Sequence, residues 1–245
     1  MKRKSFILGL GGLSAALWLL HRYGLHSGAT WSEYRQPLPG DQMIPRPDVE
    51  ITNALTIHAP AESIWPWLVQ MGYYRGGWFT DSTWKDWDYL PDRVMRYFVR
   101  EEAEQSGYGH RDTPTATQIV SEFQKLEKGD RILDGPPGTA FFTVSDIEPN
   151  RRMVLYSDTH LRFLFPKSIR ENSRIGVGGE FTWGFFLEPI DQTHTRLFLR
   201  TRGTVRPWWY RLFISATIPI ANILLAHKML NGIKEHVEQS MSLGT

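Results

Sequence analysis

Phe181, Trp183 and Phe185 recur at every second position between Glu180 and Leu187, which places all three on one face of an extended strand. Leu197 and Leu199 share a face of the next alternating run, and Phe142 and Val144 do so on an earlier one. Trp65, Leu225 and Met229 add large side chains from two helical segments. A surface of this composition could take an apolar molecule out of water. Plain core packing is the competing reading, and alternation alone leaves both open.

Polar candidates are fewer. Arg75 follows a helix stop and could pair with an anionic ligand head, or simply be solvated. Trp78, Trp84, Trp87 and Tyr89 are interleaved with Asp81, Asp86 and Asp88. Such a stretch could be a lid with its acids toward water, an insertion capping the sheet, or an interfacial contact with a bilayer. Asp81 is the acidic candidate for the ligand head, and Asp81 or Glu122 would serve if acid–base chemistry took place.

Signals for catalysis are poor. The chain has no G-x-S-x-G, no H-E-x-x-H and no Walker loop. Gly9-Leu10-Gly11-Gly12 lies inside an apolar run with no preceding strand, so it is not read as a phosphate loop. His227 and His236 are too far apart on one helix to share a metal, and His58, His160 and His194 stand alone at strand ends or turns. With no cysteine, thiolate chemistry and Cys-ligated metals are excluded. No cofactor and no metal is expected. The net charge of +2 over 245 residues gives no reason to expect nucleic acid as a partner.

The elements that must position these residues follow from pattern. Lys2, Arg3 and Lys4 precede an apolar run from Phe6 to Leu20, the form of an insertion or export signal. As a helix this run covers roughly 22 Å, and it approaches a bilayer's hydrocarbon thickness only if extended past Arg22 to Tyr23. An uncleaved anchor with the following domain outside the cytoplasm is the expectation, and a signal cleaved near Ser27 and Ala29 is the alternative. Residues 26–48, rich in proline and glycine, read as a linker. Strands are expected over Glu50–His58, Arg131–Leu133, Thr139–Ile147, Arg152–Ser157, Glu180–Leu187 and Thr195–Arg202. A helix follows Pro60, bent at Pro66 and stopped by Gly72, and a short one follows Pro91. A long final helix begins near Pro207 and carries a stripe of Ile218, Leu225, Met229, Ile233 and Val237, kinked at Pro219. Short turns between the strands predict an antiparallel meander.

The run Ala59-Pro60-Ala61-Glu62-Ser63-Ile64-Trp65-Pro66-Trp67-Leu68-Val69-Gln70-Met71-Gly72 resembles the first-helix motif of one branch of the SRPBCC superfamily. Further matches are Leu126, Gly129-Asp130 with Ile132, Thr182 to Pro189, and Thr195-Arg196-Leu197, in the expected order. That superfamily includes START lipid-transfer domains, pollen-allergen proteins and polyketide cyclases. The resemblance implies an α+β helix-grip fold: a curved, seven-stranded antiparallel sheet wrapped around a long C-terminal helix, with a cavity for an apolar ligand. The N-terminal helix, the Trp-rich insertion and the loop around Arg170 depart from the simplest members.

The expected organisation is an anchor over residues 1–25, a linker over 26–48 and a helix-grip domain over 49–245. The expected function is binding or carriage of a hydrophobic small molecule, a lipid or polyketide, at a membrane. A cyclase- or dehydratase-type enzyme using the same cavity, or a partner-binding domain with a filled interior, are the alternatives.

Overall fold

The computed structural model describes residues 2–80, 115–163 and 165–243. The expected helix after Pro91, together with Asp81, Trp84, Trp87 and Tyr89, lies outside the described residues.

Six antiparallel strands form one curved sheet in the order β1-β6-β5-β4-β3-β2. They are β1 (Val49–Ile57), β2 (Arg131–Leu133), β3 (Phe141–Glu148), β4 (Arg152–Ser157), β5 (Gly178–Pro189) and β6 (Thr195–Arg206). From β2 onward each strand pairs with its successor, as turns such as Glu148-Pro149-Asn150 and Pro189 to His194 require. The sheet's other edge is made by β1, which pairs along its whole length with β6. Six strands are present among the described residues where the resemblance implied seven. Between Val144 and Asp146 the register of β3 slips against β4, a bulge that bends the sheet locally.

Three longer helices accompany the sheet: α1 (Lys2–Leu25), α3 (Ala61–Val69) and α6 (Trp208–Leu243). The shorter ones are α2 (Trp31–Arg35), α4 (His160–Phe163) and α5 (Lys167–Arg170), the last two inside the expected loop between β4 and β5. Pro66 lies within α3 and Pro219 within α6. Past α3, Gly72 has φ of 129°, a backbone state open to glycine, and its peptide N–H turns back to the Gly77 carbonyl at 3.0 Å.

The inward residues of alternate positions pack against α3 and the second half of α6. Phe142, Val144, Met153, Leu155, Phe185 and Leu199 belong to one buried cluster with Ile64, Leu68, Met229 and Ile233. The first half of α6 covers the other end of the same sheet face, where Val49, Ile51 and Val205 meet Tyr210 and Ile214.

Residues 26–48 do not hang free as a linker would. They lie on the sheet's outer face, where Leu38 is buried with Val154, Phe186 and Phe198. Arg200, only 3 % exposed, reaches from β6 to Asp41 at 3.2 Å and to the carbonyls of Tyr34 and Gln36. Arg196 pairs with Glu33 at 2.9 Å. The polar face of β6 is thus what holds this stretch down, a role that proline and glycine content could not reveal.

Candidate functional site

The residues expected to line a cavity divide into two groups. Phe142, Val144, Phe185, Leu197, Leu199 and Met229 are all buried in the cluster between sheet and helices, where they act as core. Trp65, Trp78, Phe181 and Trp183 are only partly buried and border that cluster. Leu225 lies on α6, while Trp84 and Asp81 fall outside the described residues.

The bordering aromatics converge. The Trp183 ring stacks on Phe142 with centroids 5.4 Å apart, Trp78 lies 5.6 Å from Trp183 and 5.7 Å from Phe142, and Phe181 meets Phe142 edge-on at 5.6 Å. Phe142 on β3 and Phe181 and Trp183 on β5, the two strands that flank β4, all point to the concave face. Trp78 comes from the segment after α3. Its indole Nε1 is buried and has no hydrogen-bond acceptor among the described residues. A buried N–H without an acceptor carries a desolvation cost, which an acceptor on a bound molecule would relieve.

A polar chain closes one end of the aromatic group. His160, at the start of α4, lies with its ring 4.2 Å from that of Phe142 and 5.2 Å from Phe181. Its Nε2 is 2.9 Å from Asp134 Oδ2, and its Nδ1 is 2.6 Å from Ser157 Oγ. With the neutral imidazole donating from Nε2 to the carboxylate, Nδ1 accepts from the serine hydroxyl. Ser157 is 2 % exposed and also accepts from the Thr159 peptide N–H at 3.1 Å. Asp134 directly follows β2 and Ser157 ends β4, so β3 lies between them and the imidazole bridges across its end.

His160 therefore does not stand alone, contrary to the sequence expectation. Ser157 and His160 are close in sequence, but nothing in the sequence links either to Asp134. His58 and His194 are also paired, ring to ring at 4.7 Å, on the surface near Asp191. Hydrogen bonds from the Thr193 peptide N–H and from the His194 and Thr193 side chains hold the Asp191 carboxyl down at about 2.

Arg75 is turned onto backbone carbonyls in this arrangement. Its Nη2 donates to the carbonyls of Val69 at 2.9 Å and Phe123 at 2.8 Å, and its Nε donates to Met71 at 3.2 Å. A cation on the last carbonyls of α3 satisfies acceptors that the helix leaves open and complements its dipole. Burial lowers the guanidinium's pKa, with Asp130 opposing the shift. Glu122 is exposed on a 3-10 turn, away from the role of buried acid.

A polar cleft of about 770 Å³ opens beside Tyr156, Glu180 and the segment holding Arg162 and Arg170. Tyr156 donates to Glu180 at 2.6 Å, and burial followed by this carboxylate pushes its hydroxyl up to about 12. No group of three or more potential metal ligands occurs among the described residues.

No protein-family model matches the chain, and no curated protein matches it. Solved structures similar to it include a conserved protein from Geobacillus kaustophilus, at 11 % identity and TM-score 0.39, covering 78 % of this chain and 97 % of that one. A norcoclaurine synthase point mutant from Thalictrum shows 12 % identity and TM-score 0.38, covering 78 % and 95 %. CalU16 from Micromonospora echinospora shows 14 % identity and TM-score 0.32, covering 79 % and 87 %.

Proposed function

We propose that this chain is a membrane-tethered helix-grip protein of SRPBCC type that binds an apolar or aromatic small molecule against Trp78, Phe181 and Trp183. The observation that carries the reading is Trp78: a half-buried indole in an aromatic group, with an N–H that lacks an acceptor among the described residues. Ring faces supply apolar area and stacking, the Trp78 N–H supplies one directed hydrogen bond, and the His160–Asp134 pair supplies a polar end. A lipid or a polyketide-like ring system with at least one oxygen acceptor fits this set.

In this reading α1 is the tether. Its 24 residues make about 36 Å of helix, of which the part from Phe6 to Tyr23 is about 27 Å, close to the roughly 30 Å hydrocarbon layer. Lys2, Arg3 and Lys4 at its start favour a cytoplasmic N-terminus with the sheet domain on the other side.

The test is extraction of the purified full chain with organic solvent, followed by mass spectrometry. A co-purifying apolar molecule near one per chain is the expected result, lost or depleted in Trp78→Ala and Trp183→Ala. Protein that yields no such molecule, and whose tryptophan emission ignores added fatty acids, sterols and aromatic polyketides, would remove the proposal.

A nucleophilic enzyme, different in kind from the expected cyclase or dehydratase, is favoured by the Asp134–His160–Ser157 chain, which has the order of orienter, base and hydroxyl. Ser157 is buried, so only a molecule already inside the aromatic group could meet it. Covalent labelling of Ser157 by a fluorophosphonate, abolished in His160→Ala, would favour this reading over simple carriage, and absence of labelling would count against it.

A further inference from the structure

Large apolar side chains are exposed on two helices that touch each other. On α6 these are Trp208, Trp209, Leu212 and Phe213, between 43 % and 66 % exposed. Trp209, Leu212 and Phe213 follow the i, i+3, i+4 spacing of one helix face. The opposite face carries Tyr210, Ile214 and Ile218, which pack on Val49, Ile51 and Val205 of the sheet. The first half of α6 is therefore apolar on both sides, and the sheet covers only one.

The flank of α6 is occupied by α1. His21 Nε2 lies 2.9 Å from the Ser215 carbonyl, and Asn222 Nδ2 donates to the Gly24 carbonyl at 3.3 Å. A Cβ on Gly24 would run into the Pro219 carbonyl, so the two backbones meet at the α6 proline. Later residues of α1 meet later residues of α6, so the helices run in the same direction and expose apolar residues at the same end. Leu17, Trp18, Leu19, Leu20 and Tyr23 are the exposed residues of α1 there.

Charge separates this face from an ordinary protein interface. Residues 1–25 contain no Asp or Glu, and from Trp208 the first acid is Glu235. Arg22, Arg206 and Arg211 are exposed, with Arg211 3.6 Å from Asp48. Tryptophans with basic residues beside an apolar helix face fit the headgroup level of a bilayer containing anionic lipids.

We propose that the outer face of the first half of α6 docks into the interfacial layer of an anionic membrane, as a second contact beside α1. This rests on the tether reading of α1 for its orientation. Although α6 is long and apolar enough to cross a membrane, the proposal assigns it no crossing. Its inner stripe is committed to the sheet, and its second half, with Met229, Ile233 and Val237, is buried in the main cluster. Crossing the bilayer would expose both sets of contacts. The docking fixes the domain's height and rotation over the membrane, which a single flexible tether would not do.

The chain contains no cysteine, so single labels can be introduced into the full-length protein without background. Leu212→Cys, Leu17→Cys and Gln192→Cys, each carrying an NBD fluorophore, would be reconstituted in vesicles with brominated acyl chains. The vesicles would contain phosphatidylcholine alone or with phosphatidylglycerol. Gln192 lies in the β5–β6 turn, at the sheet end away from Arg206. The expected result is strong quenching at positions 17 and 212 and none at 192. Arg206→Glu with Arg211→Glu should reduce quenching at 212 in the anionic vesicles and leave it unchanged in the neutral ones. Quenching at 17 without quenching at 212 overturns the docking face and leaves the tether intact. No quenching at either position overturns both. An identical response of the charge variant in the two vesicle types overturns the anionic preference.

Discussion

His160 Nε2 lies 2.9 Å from Asp134 Oδ2, and the ring that makes this contact sits 4.2 Å from Phe142. One side chain thus ties the end of β2 to the segment after β4 and covers the aromatic group. Replacing it with alanine removes the hydrogen bonds to Ser157 and Asp134 and leaves Thr159 Oγ1, 3.0 Å away, as the remaining side-chain partner of Ser157, a cost of about 1–3 kcal/mol. His160→Ala should lower the urea midpoint accordingly. His160→Phe should recover the ring packing but not binding of a ligand with a polar head, read by the extraction assay. Wild-type stability in both variants would show that the bridge has no structural weight.

Arg75→Ala should destabilise the domain by about 2 kcal/mol, because three carbonyls at the end of α3 and in the 121–123 turn lose a charged donor. Ligand content per folded chain should stay at the wild-type level. A variant of normal stability that loses its ligand would return Arg75 to the role of head-group partner.

A Cβ on Gly232 would run into the Phe79 carbonyl, so α6 and the segment after α3 meet there backbone to backbone. Gly232→Ala should cost about 1–3 kcal/mol in thermal or chemical unfolding. Gly12→Ala is the control, since a Cβ there meets nothing within 4 Å and alanine favours helix. Equal effects of the two substitutions would contradict the close approach.

Burial alone would raise the Glu33 carboxyl, but Arg196 and the Thr30 peptide N–H outweigh it and hold its pKa below the usual value. A folded-state pKa below the unfolded one gives stability that is complete above the unfolded value and is lost as pH falls through the folded one. Acidification should therefore loosen α2 from β6, seen as lower amide protection factors in Trp31–Arg35 once the intrinsic pH dependence of exchange is divided out. Glu33→Gln should show the lower protection already at neutral pH and lose most of its acid dependence.

How much was legible in the sequence varies with the range of the interaction concerned. Arg131–Leu133 and Arg152–Ser157 form strands with the bounds that their alternation and turns predict, since both signals lie within a few residues. The concave placement of Phe142, Trp183 and Phe185 follows from the same period of two. Whether each becomes core or site edge depends on which side chains arrive from α3, α6 and the segment around Trp78, and no local pattern carries that.

Polar residues were the harder part for the same reason. A hydrogen bond depends on where two distant strands end, and their side chains bear no periodic mark of their partners. Arg75 looked solvated and His160 solitary, yet each, like Arg200, holds together segments far apart in sequence. The chain's own pattern determined the strands, the long helix, the apolar N-terminal run and the inward faces, because these follow from periodicity and from burial of apolar area. Only the tertiary structure decided that residues 26–48 clasp the sheet, that Arg75 caps a helix, and that histidine, serine and aspartate meet beside the aromatic rings. Those outcomes depend on directed contacts a few ångströms long, which exist only once the sheet has closed.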